Sequence, residues 1–73
     1  MNTKNRNKVI TQLDKVLEKI TPFNRAFQYN MKMHLLYPII ERLDNLYNDE
    51  SLTDERIELV IGNYLYNKLM DVE

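Results

Sequence analysis

Val9, Leu13, Val16 and Ile20 follow one another at intervals of four, three and four residues. That spacing sets them on one side of an α-helix, and Ile10 and Leu17 widen the stripe to the width of a core-facing surface. Lys4, Lys8, Lys15 and Lys19 fall on nearly the opposite side, and no Gly or Pro interrupts. The pattern predicts a helix over residues 4–20, with residues 1–4 frayed. At Thr21-Pro22 the residue before proline resists the α conformation, so the first helix should stop near Ile20. Thr is a good cap and Pro suits a first helical position, so the second helix is expected to begin at Pro22.

Ala26, Tyr29, Met33, Leu36, Ile40, Leu43 and Tyr47 alternate steps of three and four. A second row, Phe27, Met31, Leu35 and Ile39, runs beside them at intervals of four. The stripe keeps its phase through Pro38, which predicts one helix over residues 22–48, kinked at Pro38 where the His34 carbonyl loses its amide donor. The alternative is a split at Pro38, giving four helices in all. Asn48-Asp49-Glu50 breaks the pattern. Ser51 or Thr53 then caps a third helix over residues 53–71, with Asp54 and Glu55 in the first turn, where the helix dipole favours negative charge. Ile57, Ile61, Tyr64 or Leu65, Lys68 or Leu69, and Val72 form one face of it; Leu59, Tyr66 and Met70 form another. Gly62 in mid-helix suggests a close approach of a second helix. With no alternating strand pattern, the chain reads as one all-α domain over residues 1–73, a three-helix up-down-up bundle.

Composition narrows what such a bundle can do. At 73 residues the core is small, and with no Cys neither disulfides nor thiolate metal sites can reinforce it. Helix packing, or a partner subunit, has to supply the stability. No apolar run reaches the length of a membrane span or a signal peptide, so a cytoplasmic protein with no membrane partner is expected. Abundant Asn, Lys, Ile and Tyr match an AT-rich genome, which points to a low-GC bacterium, a phage or a mobile element.

The inventory of reactive groups is short. The single Ser, Ser51, reads as a helix cap, and the single His, His34, has no carboxylates clustered with it. One glycine cannot build a phosphate-cradling loop. No catalytic residue, metal, cofactor or small-molecule substrate is therefore expected. The segment Ile39 to Asp71, apolar on either side of an acidic turn, resembles the helical hairpin of small bacterial phosphatases acting on response-regulator aspartyl-phosphate. That family carries Ser-Gln-Glu-Leu-Asp on its second helix. Here the stretch reads Gly62-Asn63-Tyr64-Leu65-Tyr66, so the resemblance implies no activity.

Charge is uneven. Residues 1–40 hold seven Lys/Arg against two acidic residues, and residues 41–73 hold three against nine. Lys4, Lys8, Lys15 and Lys19 could follow a phosphate backbone, which makes a small DNA-binding regulator the second functional expectation. The first rests on an apolar surplus. Tyr and Met suit surfaces that adapt to a partner, and helices 2 and 3 carry more apolar face than three short helices can cover. Tyr29, Met33, Tyr37, Leu59, Tyr66 and Met70 are accordingly expected to bind a larger protein target, as in an inhibitor, adaptor or assembly factor. A homodimer pairing helices 2 and 3 is expected as well.

Overall fold

The computed structural model describes residues 1–70, and the side chains of residues 1–68. It is an all-α bundle of three helices: α1 (Thr3–Ile20), α2 (Arg25–Leu46) and α3 (Asp54–Met70). A single 3-10 turn, Asp49–Ser51, lies between α2 and α3. Every pair of helices packs together, and no strand occurs among the described residues. No helix there is long and apolar enough to cross a membrane. At 22 residues α2 is about 33 Å long, close to the 34 Å long axis of the molecule. It is shorter than the 22–48 span expected from the pattern.

The core takes one narrow row from each of the first two helices and a wider face from α3. Val9, Leu13 and Leu17 of α1 meet Leu35, Ile39 and Leu43 of α2, with Ile57, Val60, Ile61 and Leu65 of α3, and Leu52 closing the end. Each such side chain contributes about 1.5–3 kcal/mol on burial. The buried row of α2 joins Leu35 and Ile39 of the second stripe to Leu43 of the first, while Phe27 of the second stripe is exposed and Met31 half-buried. Tyr29 and Met33 of the first stripe are exposed, because four-residue steps carry the Leu35–Ile39–Leu43 row inward and leave the Tyr and Met positions outward. On α1, Val16 is half-buried and Ile20 is exposed.

The α1–α2 connection differs from expectation. Thr21 closes α1: its amide and its hydroxyl both donate to the Leu17 carbonyl, each at 2.9 Å. Thr21, Pro22, Phe23 and Asn24 then form a tight turn, with the Asn24 amide donating to the Thr21 carbonyl at 3.3 Å. Pro at the second position and a positive φ of 70° at Phe23 in the third are the marks of a type II turn. That third position favours Gly or Asn, and holding a bulky L-residue there costs on the order of 1 kcal/mol. Pro22 therefore sits in the turn and not in the helix. The cap of α2 is Asn24, whose Oδ1 accepts from the Phe27 amide at 3.1 Å.

Pro38 lies inside an unbroken α2, so the bundle has three helices and not four. Asn48 caps the 3-10 turn by accepting from the Ser51 amide at 2.9 Å, and the Thr53 hydroxyl accepts from the Arg56 amide at the start of α3. Ser51 thus belongs to the turn and Thr53 to the helix cap. Arg56 reaches back to the Ser51 carbonyl and stacks over Tyr47, 5.0 Å from the ring centroid.

The first residues of the chain contact the far end of α2 and the turn that follows it. Asn2 caps α1, accepting from the Asn5 amide at 2.8 Å, and its own amide donates to Asp49 Oδ1. The Met1 amino group lies 3.4 Å from Asp44. Asn5 continues the core row of α1 at a position where the sequence offers no apolar group. It is only 3% exposed, and its amide nitrogen donates to the Asp49 carbonyl at 2.9 Å and to Asp49 Oδ1 at 3.2 Å. This polar latch joins the start of α1 to the α2–α3 link. Gly62 gives the remaining correction. It is exposed, and nothing lies within 4 Å of where a Cβ would stand, so no helix approaches it.

Candidate partner-binding face

Helical spacing and burial together sort the apolar surplus into core and surface. On α2, Tyr29, Met33 and Tyr37 stand four residues apart and are 60%, 59% and 74% exposed. They form one continuous outward row, about 12 Å from first Cα to last. Lys32 lies 5.8 Å from the Tyr29 ring centroid, while its ammonium pairs with Asp14 of α1 at 3.2 Å. The row is thus flanked by a basic group that is already engaged.

On α3, Leu59 and Tyr66 are exposed on the side turned away from Ile57, Ile61 and Leu65. Gly62 stands between them on that side, and with Glu55, Glu58 and Leu59 it borders a shallow open notch. The side chain of Met70, the last member of the expected set, lies outside the described residues, as do the side chain of Leu69 and residues 71–73. The described members of the expected set thus form a row on α2, with Leu59 and Tyr66 on α3.

Of the four lysines, Lys4, Lys15 and Lys19 are exposed and Lys8 is half-buried. Lys4, Lys8 and Lys15 border an open groove into which Asp54 of α3 also faces. His34 is exposed, and the Ser51 hydroxyl donates to the Asn48 carbonyl. Among the described residues no three His, Asp or Glu side chains gather where a metal ion could sit.

Sequence reasoning missed a second apolar surface, at the α1–α2 turn. Phe23 is fully exposed there, with Ile20 and Phe27 partly exposed nearby in the chain. Lys15, Glu18 and Lys19 of α1 and Arg25 and Gln28 of α2 border the groove that Pro22 and Phe23 line. The tetrapeptide Thr-Pro-Phe-Asn held the signal, since Pro at the second position of a turn competes with Pro at a helix start. Phe where such a turn asks for Gly obscured it. The chain matches no protein-family model, no curated protein and no solved structure.

Proposed function

We propose that the protein is a non-enzymatic protein-binding module, docking a helical face onto a larger protein as an inhibitor, adaptor or assembly factor. The observation that carries this reading is the Tyr29–Met33–Tyr37 row, three large amphipathic side chains left outward on α2 directly beside a fully buried aliphatic row. Tyr and Met supply contact area at modest entropic loss and adapt to the opposing shape. Rows at i, i+4 and i+8 are also how a helix presents anchors to a groove. Leu59 and Tyr66 extend the apolar surface to α3, where a second copy could use them in a homodimer.

The test compares captured proteins for the wild-type chain and for Tyr29→Ser/Met33→Ser/Tyr37→Ser, immobilised at equal density and read by quantitative mass spectrometry. All three positions are exposed, so the variant keeps its fold, checked by its melting curve. The reading expects at least one strongly captured protein to fall tenfold or more with the variant. Identical capture profiles would sink it.

A DNA-binding regulator remains the second reading, favoured by one observation. Asp14, which borders the lysine stripe, is engaged by Lys32 and so leaves Lys4, Lys15 and Lys19 less compensated. Retardation of generic duplex DNA that weakens steeply with salt would support it, and no retardation at low salt would remove it.

A further inference from the structure

Phe23 is the least explained residue in the molecule. A type II turn asks for Gly or Asn where it stands, yet the chain places a bulky aromatic there at φ 70° and leaves its ring wholly in solvent. Hydrogen bonds hold the turn, but the fully exposed ring adds no packing among the described residues to offset the unfavourable backbone, and an outlier of this kind points to a role outside the fold. Its surroundings are basic: Lys15, Lys19 and Arg25 border the same groove, against Glu18 alone. Whatever receives this ring should offer an apolar recess with an acidic rim.

A shallow, open surface of that chemistry exists on this chain. At Gly62 of α3 the missing side chain leaves open space, Leu59 supplies an apolar wall, and Glu55 and Glu58 supply two negative charges. One chain cannot bring the two together. The Phe23 turn lies at the end of α1, whereas the notch occupies the first half of α3, which starts beside Lys4 and Lys8 at the opposite end of α1. We infer that Phe23 of one copy seats in the Gly62 notch of another, with Lys19 and Arg25 facing Glu55 and Glu58. The two surfaces are different, so copies meet either reciprocally, each ring on the other's notch, or head to tail in longer assemblies. It is independent of the Tyr29–Met33–Tyr37 row. One aromatic ring and its rim fall well below the roughly 1,200 Å² of a stable complex, so the association is weak and draws on charge.

Sedimentation of the full chain from about 10 µM to about 1 mM reads this directly. The expected weight-average mass rises above that of one chain with concentration and falls back when salt is raised from about 50 mM to about 500 mM. Phe23→Asn, which suits the turn, should weaken association tenfold or more. Gly62→Gln, which fills the notch with a better helix former, should do the same while the melting temperature rises, separating loss of contact from loss of fold. Lys19→Glu/Arg25→Glu and Glu55→Lys/Glu58→Lys should each sediment as single chains alone and associate when mixed in equal amounts. A single-chain mass at every concentration overturns the inference. So does a mass that plateaus at two chains and is indifferent to Phe23→Asn. Binding to vesicles of anionic phospholipid that is lost in Phe23→Asn, with a wild-type mass that never rises, would assign the ring to a membrane and equally overturn it.

Discussion

The latch between Asn5 and Asp49 invites a quantitative test, because it stands in the core row of α1 where an aliphatic side chain would ordinarily go. Asn5→Ala removes two hydrogen bonds, one to the Asp49 carbonyl and one to its carboxylate. A neutral bond is worth about 1 kcal/mol net and a bond to a charged acceptor about 1.5–3 kcal/mol. Asp49 is exposed, so water recovers part of both when Asn5 is gone. The expected loss is then about 2 kcal/mol, or roughly 8–16 °C in Tm for a domain of this size. Asn5→Asp should be worse than Asn5→Ala, since it faces one carboxylate with another across a partly buried site. Urea titration followed by circular dichroism at 222 nm gives the free energies. The cycle Asn5→Ala, Asp49→Ala and the double variant isolates the side-chain bond, with an expected coupling of about 1 kcal/mol. If Asn5→Ala loses less than about 0.5 kcal/mol, or if the two substitutions add within about 0.3 kcal/mol, the latch does not hold α1 as described.

Three further outcomes follow from the backbone. Gly62→Ala adds a methyl group into open space on a helix interior and should stabilise by about 1 kcal/mol; a lower Tm would contradict the exposed position. Pro38→Ala restores the amide donor for the His34 carbonyl and should raise stability by about 1–3 kcal/mol, read as a shift in urea midpoint at constant m-value; no gain would mean that α2 is shaped around the proline. Phe23→Asn relieves the left-handed backbone without losing buried contacts and should stabilise by up to about 1 kcal/mol; destabilisation would mean that the ring packs within the chain.

Helix content was legible on α1 because Val9 and Leu13 of the stripe and Leu17 on its flank are aliphatic while Lys4, Lys8, Lys15 and Lys19 mark the opposite side. On α2 the pattern was ambiguous for a physical reason. Tyr29 and Met33 count as apolar in any periodicity, yet both tolerate water, so hydropathy cannot separate them from Leu35 and Ile39. Only three-dimensional packing, which favours the compact branched side chains, decides which row turns inward. Pro38 misled less than its usual cost would suggest, because the unbroken phase on either side of it carried the information. Pro22 misled more: two local motifs share it, and Asn24, a better cap three residues before Phe27, was the competing signal. Gly62 could not be placed by reasoning on a single helix, since exposure depends on where the other two helices lie. The members of the candidate face were named from the sequence, and the exposure of five of them is a property of the tertiary structure. The exposed ring at position 23 belongs to the tertiary structure alone.

The Asn5–Asp49 latch also bears on kinetics. Its partners are 44 residues apart in the chain, whereas the hydrogen bond from Gln28 to the Thr21 carbonyl spans seven. Short loops close at less entropic cost, so the α1–α2 hairpin can form while the α2–α3 link is still unformed. A contact made after the rate-limiting step leaves the folding rate alone and slows unfolding instead. In that order of events the latch governs how long a folded chain survives before it opens, while the hairpin turn governs how quickly it folds.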